Sequence, residues 1–213
     1  MKNHRNSLRQ GLLLSFVVVV AVAGLFVARE VVFETNYPEA ATTETFHGFP
    51  VDPPQPVPQF ELVDQRREPF RIADHEGNVI VMFFGYTNCP DVCPATLVHY
   101  SQVKRELGPL ADRVSFVFVT VDPEYDTPER LGRFVSRFDP SFYGLSGTPQ
   151  ETAEAAKAFG VYVDKFEDEN SPVGYWVNHG TLSYVIDTAG RLVLVHPFDT
   201  DPKLVADDLR KLL

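Results

Sequence analysis

The longest apolar run, Gly11 to Ala28, goes 18 residues without a charge, the lower limit for a helix that crosses a bilayer. Further on the runs are shorter. Val79 to Phe84 reads V-I-V-M-F-F and ends at Gly85; such a run is too short for a typical helix and suits a strand buried on both faces. Arg113 to Val121 is a second largely apolar, β-branched run of the same kind. Elsewhere the period becomes helical. A helix is predicted from about Ala95 to Leu107, with Pro94 at its first position, where a missing N–H costs little. Thr127-Pro128-Glu129 opens another, whose Leu131, Phe134, Val135 and Phe138 follow the i, i+3, i+4, i+7 rule. Thr148-Pro149-Gln150-Glu151 is a capping box with proline at the first helical position, and that helix stops at Gly160. Asp201-Pro202 opens the last helix, with Leu204, Val205, Leu209 and Leu212 on one face.

Shorter apolar stretches fill in the strands. Phe60 to Val63 and Pro69 to Ile72 predict a small hairpin, Phe142 to Leu145 and Val161 to Phe166 two short strands, and Glu167 to Gly174 a polar loop. Thr181 to Ile186 and Leu192 to Val195 are strands joined through Asp187-Thr188-Ala189-Gly190, a hairpin signal. Strands alternating with helices, then a hairpin and a final helix, predict an α/β domain with a central mixed sheet flanked by helices.

The pattern divides the chain into four parts. Residues 1–10 are polar and basic, 11–28 form a transmembrane anchor, 29–58 a spacer and 59–213 the folded domain. Lys2, Arg5 and Arg9 place the N-terminus in the cytoplasm and the domain across the membrane. A cleaved signal peptide is the competing reading, because Ala21-Val22-Ala23 before Gly24 has the small-x-small pattern. The apolar run continues through Leu25, Phe26 and Val27, which favours an uncleaved anchor; with no cysteine near Ala23, a lipoprotein anchor is excluded. The domain therefore stands in the periplasm or outside the cell, tethered to the cytoplasmic membrane. Pro38, Pro50, Pro53, Pro54, Pro56 and Pro58 make the spacer extended and semi-rigid. His47 within it reads as a solvated linker histidine.

Charge narrows the partners. The net charge is -10, and all 29 acidic residues follow Lys2, Arg5, Arg9 and Arg29, leaving 15 basic residues against them. An acidic body argues against nucleic-acid binding and allows cationic partners.

The chain has only two cysteines, Cys89 and Cys93. They lie where the first apolar strand ends and a helix starts, in N-C-P-D-V-C-P, so they read as a metal or redox site rather than a structural staple. Strand, cysteine loop, helix is the thioredoxin-like arrangement. Unpaired N–H groups and the helix dipole favour an anion beside Cys93 and are expected to lower its thiol pKa. Two thiolates make a linear site suited to Cu(I), and an added imidazole makes a trigonal site for Cu(I) or Cu(II). A disulfide between them is equally open at this point. The candidate third ligands are His75, His99, His179 and His196. His75 sits in a turn, His99 inside a helix and His196 at a strand end, where packing explains each. His179, in W-V-N-H-G before a strand, follows no amphipathic pattern and is the best placed. Met82 belongs to the core of its strand. Asp91, between the cysteines, adds negative charge or accepts backbone N–H groups and is not a ligand. Asp122 and Asp126 follow a strand end facing the cysteine loop; helix capping by Asp126 or Thr127 is the simpler role. Tyr86 and Trp176 are expected to pack around the site.

Y-T-N-C-P-D-V-C-P (Tyr86 to Pro94), V-D-P-E-Y-D-T-P-E (Val121 to Glu129), G-L-S-G-T-P (Gly144 to Pro149) and N-H-G-T-L-S-Y-V-I-D (Asn178 to Asp187) together closely resemble the Sco/SenC family. The likeness runs in order over about residues 56–213. It implies a membrane-anchored, thioredoxin-fold copper chaperone rather than an enzyme. It further implies that Cys89, Cys93 and His179 are the copper ligands, and that copper passes from an upstream periplasmic donor to the binuclear centre of cytochrome c oxidase subunit II. The alternative is a thiol-disulfide oxidoreductase that reduces the cysteines of that subunit, with Cys89 and Cys93 as the redox pair. Three residues between the cysteines, rather than two, favour metal. A peroxidase of the peroxiredoxin type lacks its Pro-x-x-x-Thr-x-x-Cys spacing here.

Overall fold

The computed structural model describes residues 45–58 and 60–213. The expected cytoplasmic segment 1–10 and anchor 11–28 lie outside the described residues, among which no helix is long and apolar enough to cross a membrane. Phe46 to Leu213 forms one compact unit.

The two apolar runs become the centre of a six-stranded sheet. Strands β4 (Val79–Gly85) and β5 (Val114–Thr120) are buried at every position and pair in parallel, Val79 opposite Val114 and Gly85 opposite Thr120. Each large side chain buried there contributes on the order of 2 kcal/mol. Beyond β5 lies β6 (Tyr143–Leu145), also parallel. On the other side of β4 comes β9 (Ser183–Ile186), antiparallel, then β10 (Arg191–His196) and β1 (Phe49–Pro56), giving the order β1-β10-β9-β4-β5-β6. A mixed sheet of this kind, flanked by helices, is the thioredoxin-like architecture the pattern predicts.

Alternation along β4 splits the core in two. Val79, Val81 and Phe83 point to a layer built by α1 (Val92–Leu107), α2 (Pro128–Val135) and α4 (Pro202–Leu212), while Ile80, Met82 and Phe84 face α3 (Pro149–Ala158). Beneath the second face lies a small hairpin of β2 (Leu62–Val63) and β3 (Pro69–Phe70). The Thr148 capping box forms in full, and Gly160 follows α3 with φ +67, a conformation glycine adopts without strain.

Three expectations change. The spacer does not extend to residue 58: Phe49–Pro56 is an edge strand paired with β10, and its prolines are tolerated because an edge needs few ladder donors. Asp208, in α4, extends this docking by accepting from the backbone N–H groups of His47 at 2.8 Å and Gly48 at 2.9 Å. Second, helix α1 starts at Val92, so Pro94 is its third residue; the first-turn N–H groups are unpaired in any case, and a proline there breaks no bond. Third, the polar stretch after β7 (Val163–Glu167) ends in a further strand, β8 (Tyr175–His179), which pairs with β7 as a separate two-stranded ribbon.

Candidate metal centre

Three backbone elements deliver the sulfur and nitrogen atoms. The end of β4 turns at Tyr86, whose carbonyl accepts from the Cys89 backbone N–H at 3.2 Å. Cys93 then sits in the first turn of α1, with its own N–H directed at the Cys89 Sγ at 3.4 Å. His179 closes the arrangement from the end of β8, held in register opposite Val163, rather than from an unpatterned stretch before a strand. Its Nε2 lies 3.4 Å from the Cys93 Sγ, and the three ligand atoms are all within 4.8 Å of one another.

The surroundings set the protonation. His179 Nδ1 lies 2.8 Å from the Gly180 carbonyl, to which it donates, so Nε2 is the ring nitrogen that faces the sulfurs. The rings of Phe83 and Tyr86 meet the imidazole edge to face, each with centroids 5.7 Å away. Cys89 is half-buried, whereas Cys93 has no exposed surface. The Cys93 thiol, then His179 and the N–H groups of Cys93 and Asp91, pull the Cys89 thiol down to about 4 against its own burial. Burial pushes the Cys93 thiol up, and the neighbouring Cys89 adds to this. The expected activation thus falls on the other cysteine: desolvation outweighs the helix terminus at Cys93, while Cys89 collects the donors. Two sulfurs and one imidazole nitrogen make a compact donor set for a soft cation, and the sulfurs equally a pair able to close as a disulfide.

The remaining candidates are elsewhere. His75 packs against Phe70 and meets Tyr143 edge to face, with Nδ1 3.1 Å from the Ser115 hydroxyl, His99 Nε2 meets the Thr200 carbonyl at 2.6 Å, and His196 is buried beside Asp208. Packing accounts for each. His47 is not a free linker residue, since its N–H is bound by Asp208. Met82 is fully buried in β4. Asp91 stands at the start of α1 without a side-chain capping bond.

Asp126 does more than the expected capping. Thr127 caps α2, accepting from the Arg130 N–H, whereas the Asp126 side chain is buried and accepts from the Thr87 N–H at 2.9 Å, the Thr87 hydroxyl and the Thr120 hydroxyl at 2.7 Å. Burial raises its pKa, opposed by these donors. Asp122, also buried, accepts from the Tyr175 hydroxyl at 2.6 Å and from Lys165 Nζ at 3.2 Å. Thr87, Tyr175 and Lys165 were not singled out by sequence pattern; only the placement of Asp122 and Asp126 after a strand end pointed this way.

Comparison with known proteins gives a consistent picture. The sequence profile of the SCO1/SenC family matches residues 51–213. The SCO2-like protein RC0895 of Rickettsia conorii is 32% identical over 151 residues, 71% of this chain and 74% of that protein. The structure of ScoI from Bradyrhizobium japonicum with copper bound superposes with a TM-score of 0.68 at 38% identity, covering 73% of this chain and 98% of that one. The solution structure of apo Sco1 from Thermus thermophilus gives 0.72 at 39% identity, over 81% and 100%.

Proposed function

Since the chain belongs to the SCO1/SenC family, we propose that it is a copper metallochaperone, anchored in the membrane by residues 11–28 and binding copper through Cys89, Cys93 and His179. The observation that carries this reading is the convergence of two sulfurs and an imidazole nitrogen within 4.8 Å. Two thiolates hold Cu(I), and the imidazole extends the site to a third ligand and to Cu(II). Cu(II) binding therefore depends on all three residues. By the same reading copper arrives from a donor on the outer side of the membrane and passes to the binuclear centre of cytochrome c oxidase subunit II. Transfer by ligand exchange suits a site with one half-buried sulfur.

The test is anaerobic titration of the full reduced chain with Cu(I) and Cu(II), alongside Cys93→Ser and His179→Ala. One tightly bound copper per chain is expected, with Cu(II) affinity lowered about tenfold or more in both variants. Absence of tight binding to the unmodified chain overturns the reading.

A second reading rests on the lowered Cys89 thiol beside a buried partner cysteine. In it Cys89 attacks a target disulfide and Cys93 resolves the mixed disulfide; the target gains two electrons and two protons as Cys89 and Cys93 become a disulfide. Thiol-disulfide exchange in the absence of copper binding selects this second reading.

A further inference from the structure

Thr120 at the end of β5 and the two acids that follow it, Asp122 and Asp126, connect both halves of the metal centre. On one side the buried Asp126 carboxylate takes the N–H and hydroxyl of Thr87, two residues before Cys89. On the other, Asp122 takes the Tyr175 hydroxyl at 2.6 Å and Lys165 Nζ at 3.2 Å, one from each strand of the ribbon that carries His179. Thr120 joins the two acids: its hydroxyl donates to Asp126 at 2.7 Å and accepts the Asp122 N–H at 3.0 Å. Lys165 Nζ also lies 3.8 Å from the centre of the Tyr175 ring, and Glu124 is 3.5 Å from the same ammonium.

The two arms differ in strength. Asp126 and Thr120 are removed from water and Thr87 is half-buried beside them, where such bonds are strong and an unmade one is costly. The Asp122 arm ends in a lysine side chain that is 41% exposed, so half of it is screened by solvent. The ribbon needs this arm. All five residues of β7 are exposed, β8 buries only Val177, and a two-stranded ribbon is marginal by itself.

From these contacts we infer that Asp122 and Asp126 are positioning residues that divide the centre into a fixed cysteine half and a detachable histidine half, with Asp122, Tyr175 and Lys165 as the clasp on the ribbon. The inference rests on the copper-binding reading and says which ligand leaves: His179 departs with the ribbon when the clasp opens, while Thr87 and Asp126 keep the cysteine loop in place.

The full reduced chain is compared with Asp122→Asn, Tyr175→Phe and Asp126→Asn, metal-free and with each copper ion. In Asp122→Asn and Tyr175→Phe the amides of residues 175–179 exchange about tenfold faster in the metal-free protein. Cu(II) affinity falls about tenfold and the Cu(II) EPR spectrum moves toward that of His179→Ala, while Cu(I) affinity stays within about threefold. Asp126→Asn weakens Cu(I) binding as well. Tyr175→Phe keeps the ring and removes one hydroxyl, so it tests the clasp even where Asp122→Asn impairs folding. Unchanged exchange at 175–179 in both clasp variants overturns the clasp, whether or not copper binds. Faster exchange with unaltered Cu(II) affinity and spectrum overturns its link to the metal, and equal loss of Cu(I) in Asp122→Asn and Asp126→Asn overturns the division into halves. Failure of the unmodified chain to bind copper rejects the functional reading instead, and the exchange rates still judge the clasp.

Discussion

At the scale of single residues, the tightest constraint around the cysteines is a side chain that is missing. A Cβ at Gly85 would lie 2.8 Å from the Cys93 Sγ, 2.8 Å from Phe118 and 2.9 Å from Phe83. Gly85→Ala must therefore move Cys93 or the rings, at a cost of about 1–3 kcal/mol. Denaturant titration should show that loss, and Cu(I) affinity should fall with it; a variant as stable as the parent would mean that the loop relaxes freely. The two cysteines stand out in the sequence, because a rare residue type in a strand-to-helix turn has few structural explanations. Pattern alone leaves His179 as one of four candidate histidines, and it takes the fold to bring it beside them. What the sequence did not disclose is which sulfur carries the charge. That depends on burial of Cys93 and on the donors gathered at Cys89, the Cys93 thiol first and then His179 from the far end of β8. Local pattern offers the cap to Asp126 or Thr127, and Thr127 takes it; it cannot show the partners of Asp126, because Thr87 and Thr120 lie 39 and 6 residues away.

At the scale of elements, strands and helices with strong periodic signals appear close to where the pattern puts them. β4, β5, α2, α3 and α4 are the examples. Those that depend on a distant partner do not. β1 is a run of prolines that becomes a strand only because β10 offers a ladder, and β8 is read as loop and turn until β7 pairs with it. The consequence for β1 is testable. A chain starting at residue 46 should unfold as cooperatively as the full chain, while one starting at residue 59 loses the β10 pairing and both backbone donors to Asp208. It should have a lower denaturation midpoint, and an unchanged midpoint would show that the segment is dispensable. The boundary expected at 59 would then be the functional one.

For the whole molecule, acid stability is governed in part by one buried imidazole. His196 is 1% exposed, its Nε2 stands 3.4 Å from an Asp208 oxygen, and neither ring nitrogen has a hydrogen-bond partner among the described residues. Burial pushes its pKa down to about 4, with Asp208 opposing. In the unfolded chain the ring has its ordinary value near 6.5. Between these values the unfolded state binds the extra proton, so stability is full above about 6.5 and falls as the pH drops toward 4, by on the order of 3 kcal/mol. In His196→Leu the dependence over this window should flatten, as read from denaturation midpoints at several pH values; parallel curves for the two proteins would refute it. The same corner of the fold also bears on how the chain reaches its native state. Asp208 grips a residue 161 positions earlier, β1 closes on β10, and β4 waits for β9 to complete its second edge. Contacts of such long sequence separation form slowly, so the sheet cannot be finished until β9, β10 and Asp208 have been synthesised. A half-made chain displays β4, its most apolar strand, with one edge bare, and the interval between translation and closure is when this protein most needs an escort.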